Sequence, residues 1–172
     1  MRVVLLAGLF FAQAVCGNQA PTNQQADHQS RVAPPFSLKN LSGRTARLSD
    51  YKGKVVLINL WATWCAPCLT EMPALVKWQK EYGARGLQIL GITYPDEPRV
   101  TVSRMARKLK LNYPVLFGTR AMIEAYEIGE VLPVTVVIGR DGTILDRILG
   151  ILEPEEFSEK VAPLLRGADL ER

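Results

Sequence analysis

Val55-Val56-Leu57-Ile58-Asn59-Leu60-Trp61-Ala62-Thr63-Trp64-Cys65-Ala66-Pro67-Cys68 joins an apolar run to two cysteines separated by two residues. The run to Leu60 is continuous and rich in branched residues, as suits a central strand covered on both faces. Leu69 to Tyr82 reads as a helix, so the cysteines fall at a strand-to-helix junction. One precedes the helix and the other stands in its first turn. Unpaired backbone N–H groups and the positive end of the helix dipole favour a thiolate there. Pro67 suits an early helical position, where a missing N–H costs nothing. Cys65 therefore reads as an exposed attacking sulfur, and Cys68 as the partner that resolves a mixed disulfide.

Two other uses of such a pair fit less well. A structural zinc site wants four ligands, and the further candidates Cys16 and His28 are not at ligand spacing. A static crosslink closing so small a ring removes little chain entropy.

Working outward, Phe36 and Leu38 alternate as in a short edge strand, and Ala46-Arg47-Leu48 continues the pairing after a turn at Ser42-Gly43. The helix after the cysteines places Leu69, Met72, Val76 and Gln79 on one stripe, carries Pro73 inside it and stops at Gly83. A kink is expected at Pro73. Leu87 to Thr93 is the next buried strand. Asp96 is a candidate cap for a helix bearing Val102, Met105, Ala106 and Leu109. Tyr113 to Phe117 reads as a short strand and Arg120 to Tyr126 as a short helix. Val134 to Ile138 and Thr143 to Ile148, joined at Asp141-Gly142, form a strong hairpin signal. Pro154 opens a last helix with Phe157, Val161, Leu164 and Leu165 on one face, and Pro163 should disturb its final turn. This order predicts a three-layer α/β fold with a mixed sheet.

With 172 residues the chain has room for one domain, and 48% hydrophobic with 22% charged residues is ordinary globular composition. The net charge of +4 is modest and spread out, which gives no reason to expect a nucleic-acid partner. Its densest basic spot, Arg104, Arg107, Lys108 and Lys110, reads as a solvated helix face. Met1-Arg2 followed by Val3 through Val15 has the layout of an export signal, too short for a membrane span. Cleavage after Ala14, lipidation at Cys16 and an uncleaved anchor are three ways to read it. All deliver the domain to an oxidising, extracytoplasmic compartment such as the periplasm. The expected division is 1–14 signal, 15–32 flexible spacer and 33–172 folded domain. His28, the sole histidine, lies in the spacer and is not cast as a catalytic base.

These residues resemble a known family. Trp61-Ala62-Thr63-Trp64-Cys65-Ala66-Pro67-Cys68, Glu71-Met72-Pro73 and Leu132-Pro133-Val134-Thr135 are similar to the thioredoxin superfamily, more narrowly to its exported TlpA/ResA-like thiol–disulfide oxidoreductases. The resemblance implies a thioredoxin-like α/β/α fold with an N-terminal β extension and a strand–helix insert over Val102 to Phe117. It also implies a cis proline at Pro133 facing the dithiol, with Leu132 beside it pairing to an extended substrate strand. Cytoplasmic-type thioredoxins carry an aspartate where this chain has Asn59, and the exported relatives match Asn59 and Glu71. Glu71, three residues beyond Cys68, is then expected to be half-buried and to exchange protons with the dithiol. Trp64 is expected to offer a flat contact surface to the partner.

The implied activity is reduction of disulfides in partner proteins, with no cofactor beyond a redox-active Cys65–Cys68 pair and no metal. The expected partners are protein disulfides, apocytochrome c among them, and a membrane electron donor that re-reduces the chain, which acts as a monomer. Two alternatives stay open. A thiol peroxidase of the Pro-x-x-x-Thr/Ser-x-x-Cys type would want its proline ahead of the cysteine, but none precedes Cys65 in the right place and the residue four before it is Trp61. A copper-binding module would want a wider cysteine spacing and a histidine downstream of residue 28.

Overall fold

A computed structural model describes residues 31–129 and 131–166, so the expected signal, Cys16, His28 and most of the spacer lie outside the described residues. Its strands are β1 (Arg31–Val32), β2 (Ser37–Lys39), β3 (Thr45–Arg47), β4 (Val55–Trp61), β5 (Leu87–Thr93), β6 (Val115–Phe117), β7 (Val134–Ile138) and β8 (Thr143–Leu149). Its helices are α1 (Ala66–Tyr82), α2 (Arg99–Lys108), α3 (Arg120–Ala125), α4 (Pro154–Glu156) and α5 (Ala162–Leu165). A π-turn over Phe157–Val161 joins the last two.

The main sheet has the order β1-β8-β7-β4-β5-β6. β4, β5 and β6 run parallel, whereas β7, β8 and β1 add on antiparallel, so the sheet is mixed. Every residue of β4 is buried, as its unbroken apolar run requires of a strand covered on both faces. Val56, Ile58 and Leu60 pack on one side with Phe36, Leu38, Ala46, Met122 and Tyr126, from the β2–β3 hairpin and the α3 region. Leu57 packs on the other side with Leu75 and Trp78 of α1 and Phe157, Val161 and Leu165 of the C-terminal run. These are the three layers that the chain order implied.

Several local readings shift. Arg31 and Val32 pair with Ile144 and Thr143 at the sheet edge, so the sheet includes the last two residues of the stretch assigned to the spacer. The buried stripe of α1 is Cys68, Glu71, Met72, Leu75 and Trp78, displaced from the Leu69–Val76 stripe because two polar-capable residues face inward. Pro73 is accommodated within α1 on its exposed side. Asp96 does not cap α2: it has φ +68° in the preceding loop, and the N-cap is Pro98. In the last helical run, Pro163 offers no N–H to the carbonyl four residues earlier, and the widened π-turn lies just before it.

Phe157 fastens the C-terminal run to α1 through aromatic contacts with Trp78 and Tyr82. The Trp78 and Phe157 rings are stacked, with centroids 4.1 Å apart and planes at 8°, and Phe157 is buried. Phe157→Ala should lower unfolding free energy by about 3–5 kcal/mol in urea titrations, whereas a loss below about 1 kcal/mol would mean these contacts do not fasten the run.

Candidate functional site

The site forms where β4 ends and α1 begins. Tyr94 N–H donates to Trp61 O at 2.7 Å and Cys65 N–H to Ala62 O at 3.2 Å, turning the chain into the helix. Cys65 is the N-cap of α1, with extended backbone angles, and its sulfur accepts from Cys68 N–H at 3.3 Å. Pro67 occupies the first turn, as expected. Cys65 and Cys68 form a disulfide with Cα atoms 5.3 Å apart. The first sulfur is less open than its sequence context suggests, since Cys65 is 5% exposed and Cys68 fully buried. Both sit in one apolar cluster with Trp61, Ala62, Met72 and Val102, and Leu132 packs against it.

Flanking groups form a rim. Trp64 is 68% exposed and meets Tyr94 edge to face, with ring centroids 6.4 Å apart. Thr63 donates its hydroxyl proton to Glu97 Oε2 at 2.6 Å, tying the junction to the loop before α2. The Leu132–Pro133 bond is cis, and Pro133 directly precedes Val134, which pairs with Leu60 at the end of β4. Leu132 is half-buried, with Val131 and Leu149 exposed nearby in the chain and in the strand register.

Behind the disulfide lies Glu71, more deeply buried than its helical position suggests, at 2% exposure. Asn59 Nδ2 donates to its Oε1 at 2.7 Å and to Thr135 Oγ1 at 3.1 Å, and Leu152 N–H donates to its Oε2 at 3.0 Å. Burial pushes the carboxyl up to about 7; the Asn59 and Leu152 hydrogen bonds oppose the rise and the nearby Glu153 charge adds to it. The acid is thus poised near neutrality at a thiol–disulfide centre. All six residues singled out in the sequence lie in this region of the fold. Sequence reasoning missed Thr135, the Leu152 amide and Tyr113. Thr135 lies in the Leu132-Pro133-Val134-Thr135 stretch, whereas a backbone donor leaves no trace in a sequence. Among the described residues no group of three or more His, Cys, Asp or Glu could hold a metal ion.

Comparison with known proteins agrees with this architecture. Residues 30–147 match the AhpC/TSA family. The thiol–disulfide oxidoreductase ResA of Geobacillus thermodenitrificans is 34% identical over 139 residues, covering 80% of this chain and 79% of that one. The thioredoxin-like protein YneN of Bacillus subtilis is 36% identical, covering 77% and 78%. The crystal structure of a secreted thiol-disulfide isomerase from Corynebacterium glutamicum superposes with TM-score 0.70 at 27% identity, covering 78% of this chain and 85% of that one. The chain therefore belongs to the AhpC/TSA family of thioredoxin-like proteins, alongside the ResA-type thiol–disulfide oxidoreductases.

Proposed function

We propose that this thiol–disulfide oxidoreductase is exported and reduces disulfides in partner proteins. The observation that carries the reading is the Cys65–Cys68 disulfide at the mouth of α1 with Glu71 buried on the same helix about one turn beyond Cys68. In the reduced chain the Cys65 thiolate attacks one sulfur of the partner disulfide, and the other partner sulfur leaves as a thiolate. The Cys68 thiolate then attacks Cys65 Sγ and releases the partner's second thiolate. Two electrons pass to the partner, and the chain returns to the disulfide form. Glu71 carries the proton that Cys68 gives up as it becomes the nucleophile.

Trp64 and Leu132 form the contact surface, and the backbone at Leu132, beside the cis Pro133, receives an extended substrate strand. Because Cys65 is only 5% exposed, a partner must fit closely between Trp64 and Leu132 to reach its sulfur. An apolar N-terminal segment directs the chain out of the cytoplasm, by a cleaved signal, an anchor or lipidation at Cys16. No helix of the described residues is long and apolar enough to cross a membrane. Outside the cytoplasm a dithiol must be kept reduced, so a membrane donor supplies the electrons. Apocytochrome c, whose cysteines must be free before haem attachment, is the substrate class this setting favours.

Trapping tests the reading. Cys68→Ala, expressed in the native host, should accumulate partners disulfide-linked to Cys65 that a reductant releases, whereas Cys65→Ala should trap none. Equal trapping by the two variants would contradict the assigned order of attack.

The Glu71 acid also leaves a thermodynamic signature. Its folded value, about 7, lies above the ordinary 4.5, so between these pH values the folded chain holds a proton that the unfolded chain has lost. Its contribution to stability is complete below pH 4.5, is lost as pH rises towards 7 and stays lost above. On the disulfide form, where the cysteines do not titrate, wild type should lose on the order of 3 kcal/mol across that window relative to Glu71→Gln. Urea titrations at several pH values measure it. Parallel stability curves for the two proteins would contradict the assignment.

A further inference from the structure

Three deeply buried polar atoms on the α1 side of the sheet have no hydrogen-bond partner among the described residues: Asn59 Oδ1, Trp61 Nε1 and the Tyr113 hydroxyl. Asn59 and Trp61 are fully buried and Tyr113 is 6% exposed. The strand register brings them together. Asn59 on β4 pairs with Gly91 on β5, and Trp61 lies two residues further along the same face of β4. A Cβ at Gly91 would lie 3.0 Å from Tyr113 Cε2 and 3.2 Å from Trp61 Nε1. The missing side chain of Gly91 is what lets the tyrosine ring and the indole N–H settle on the sheet next to Asn59. Burial, and after it the charge of Glu71, pushes the Tyr113 phenol above its ordinary range.

An unpartnered polar group in a protein interior is costly, and three around the Asn59–Gly91 pair call for a common partner. Their hydrogen-bonding capacities are complementary. The indole can only donate, the amide oxygen can only accept, and the phenol can do either. One water accepts from Trp61 and Tyr113 and donates to Asn59 Oδ1, which is within the two to four partners an internal water needs.

We propose that Trp61, Tyr113 and Asn59 Oδ1 bind a single internal water that locks the Asn59 amide in the orientation presenting Nδ2 to Glu71. An amide whose oxygen is held this way does not exchange its two ends, and its N–H is polarised into a better donor. Trp61 and Tyr113 are then positioning residues that act on Glu71 through Asn59. The consequence for sulfur chemistry rests on the proton-carrying role proposed for Glu71, but the effect on the carboxyl itself does not. The other charged group acting at this carboxyl is Glu153 ahead of α4; Cys68, one helical turn before it on α1, is held in the disulfide, and β7 contributes the neutral Thr135.

The test follows the Glu71 carboxyl by carbon-13 NMR in the full-length oxidised chain, for wild type, Tyr113→Phe and Gly91→Ala. Tyr113→Phe removes one of the water's hydrogen bonds, and Gly91→Ala places a methyl group in its space. In both, weakening the Asn59 bond to the carboxylate should make Glu71 about a tenfold weaker acid, titrating about one pH unit higher. In wild type the Trp61 indole proton should show a cross-peak to a long-lived water that Gly91→Ala abolishes. Titration of Glu71 within about 0.2 pH unit of wild type in both variants would overturn the proposal, as would the lack of that cross-peak in wild type. A merely structural tyrosine would lower stability without moving the titration. If Glu71→Gln leaves the thiol titrations unchanged while Tyr113→Phe still moves the carboxyl, the proton-carrying role fails and the water site stands.

Discussion

The contact between Glu71 and Asn59, 2.7 Å long and sealed from solvent, joins the first turns of α1 to the central strand β4. It sets how the rest of the site is arranged. A carboxyl at this depth is costly as an anion unless donors meet it, and two do, from Asn59 and the Leu152 amide. Those donors come from opposite ends of the domain, one from the middle strand and one from the loop before the last helical run. The carboxyl therefore couples the orientation of the cysteine-bearing helix to the closure of the C-terminus over the sheet.

The same arrangement explains why the site is nearly closed. The disulfide lies in an apolar cluster continuous with the core, and only Trp64 stands well out of it. Burial disfavours thiolates, whereas the helix N-terminus favours them, and the two effects oppose each other at these sulfurs. A protonated acid near neutrality adds no negative charge to that balance, and an ionised one does. An ionised Glu71, buried on the same helix as Cys68, would oppose a thiolate there, which is the basis of the proposed link between redox pair and acid. The proposed partner surface, by contrast, consists of residues with no titration: the exposed Trp64 indole, Leu132 and the backbone around Pro133.

Much of this was legible in the sequence where one physical rule dominates. The unbroken apolar run of β4 had no reading other than a strand buried on both faces, and Asp141-Gly142 between two branched runs fixed the β7–β8 hairpin. The junction of strand, cysteine pair and helix placed the site. The stripe of α1 was misplaced for an instructive reason: its inward face carries Cys68 and Glu71, so hydropathy points away from the face that function buries. Asp96 looked like a cap because residue type was the only signal, and Pro98 ahead of Arg99 decided the start instead. The seating of Tyr113 against Gly91, the β5 partner of Asn59, depends on the register of β4 and β5 and on the bareness of that glycine, which no local pattern reveals.

The central claim is that Glu71 and the dithiol share protons. The midpoint potential of the Cys65–Cys68 couple, measured against pH in wild type and Glu71→Gln, addresses it most directly. The account requires a bend in the wild-type curve near pH 7, where the buried acid ionises, and its loss in the variant. Superimposable curves for the two proteins would contradict it.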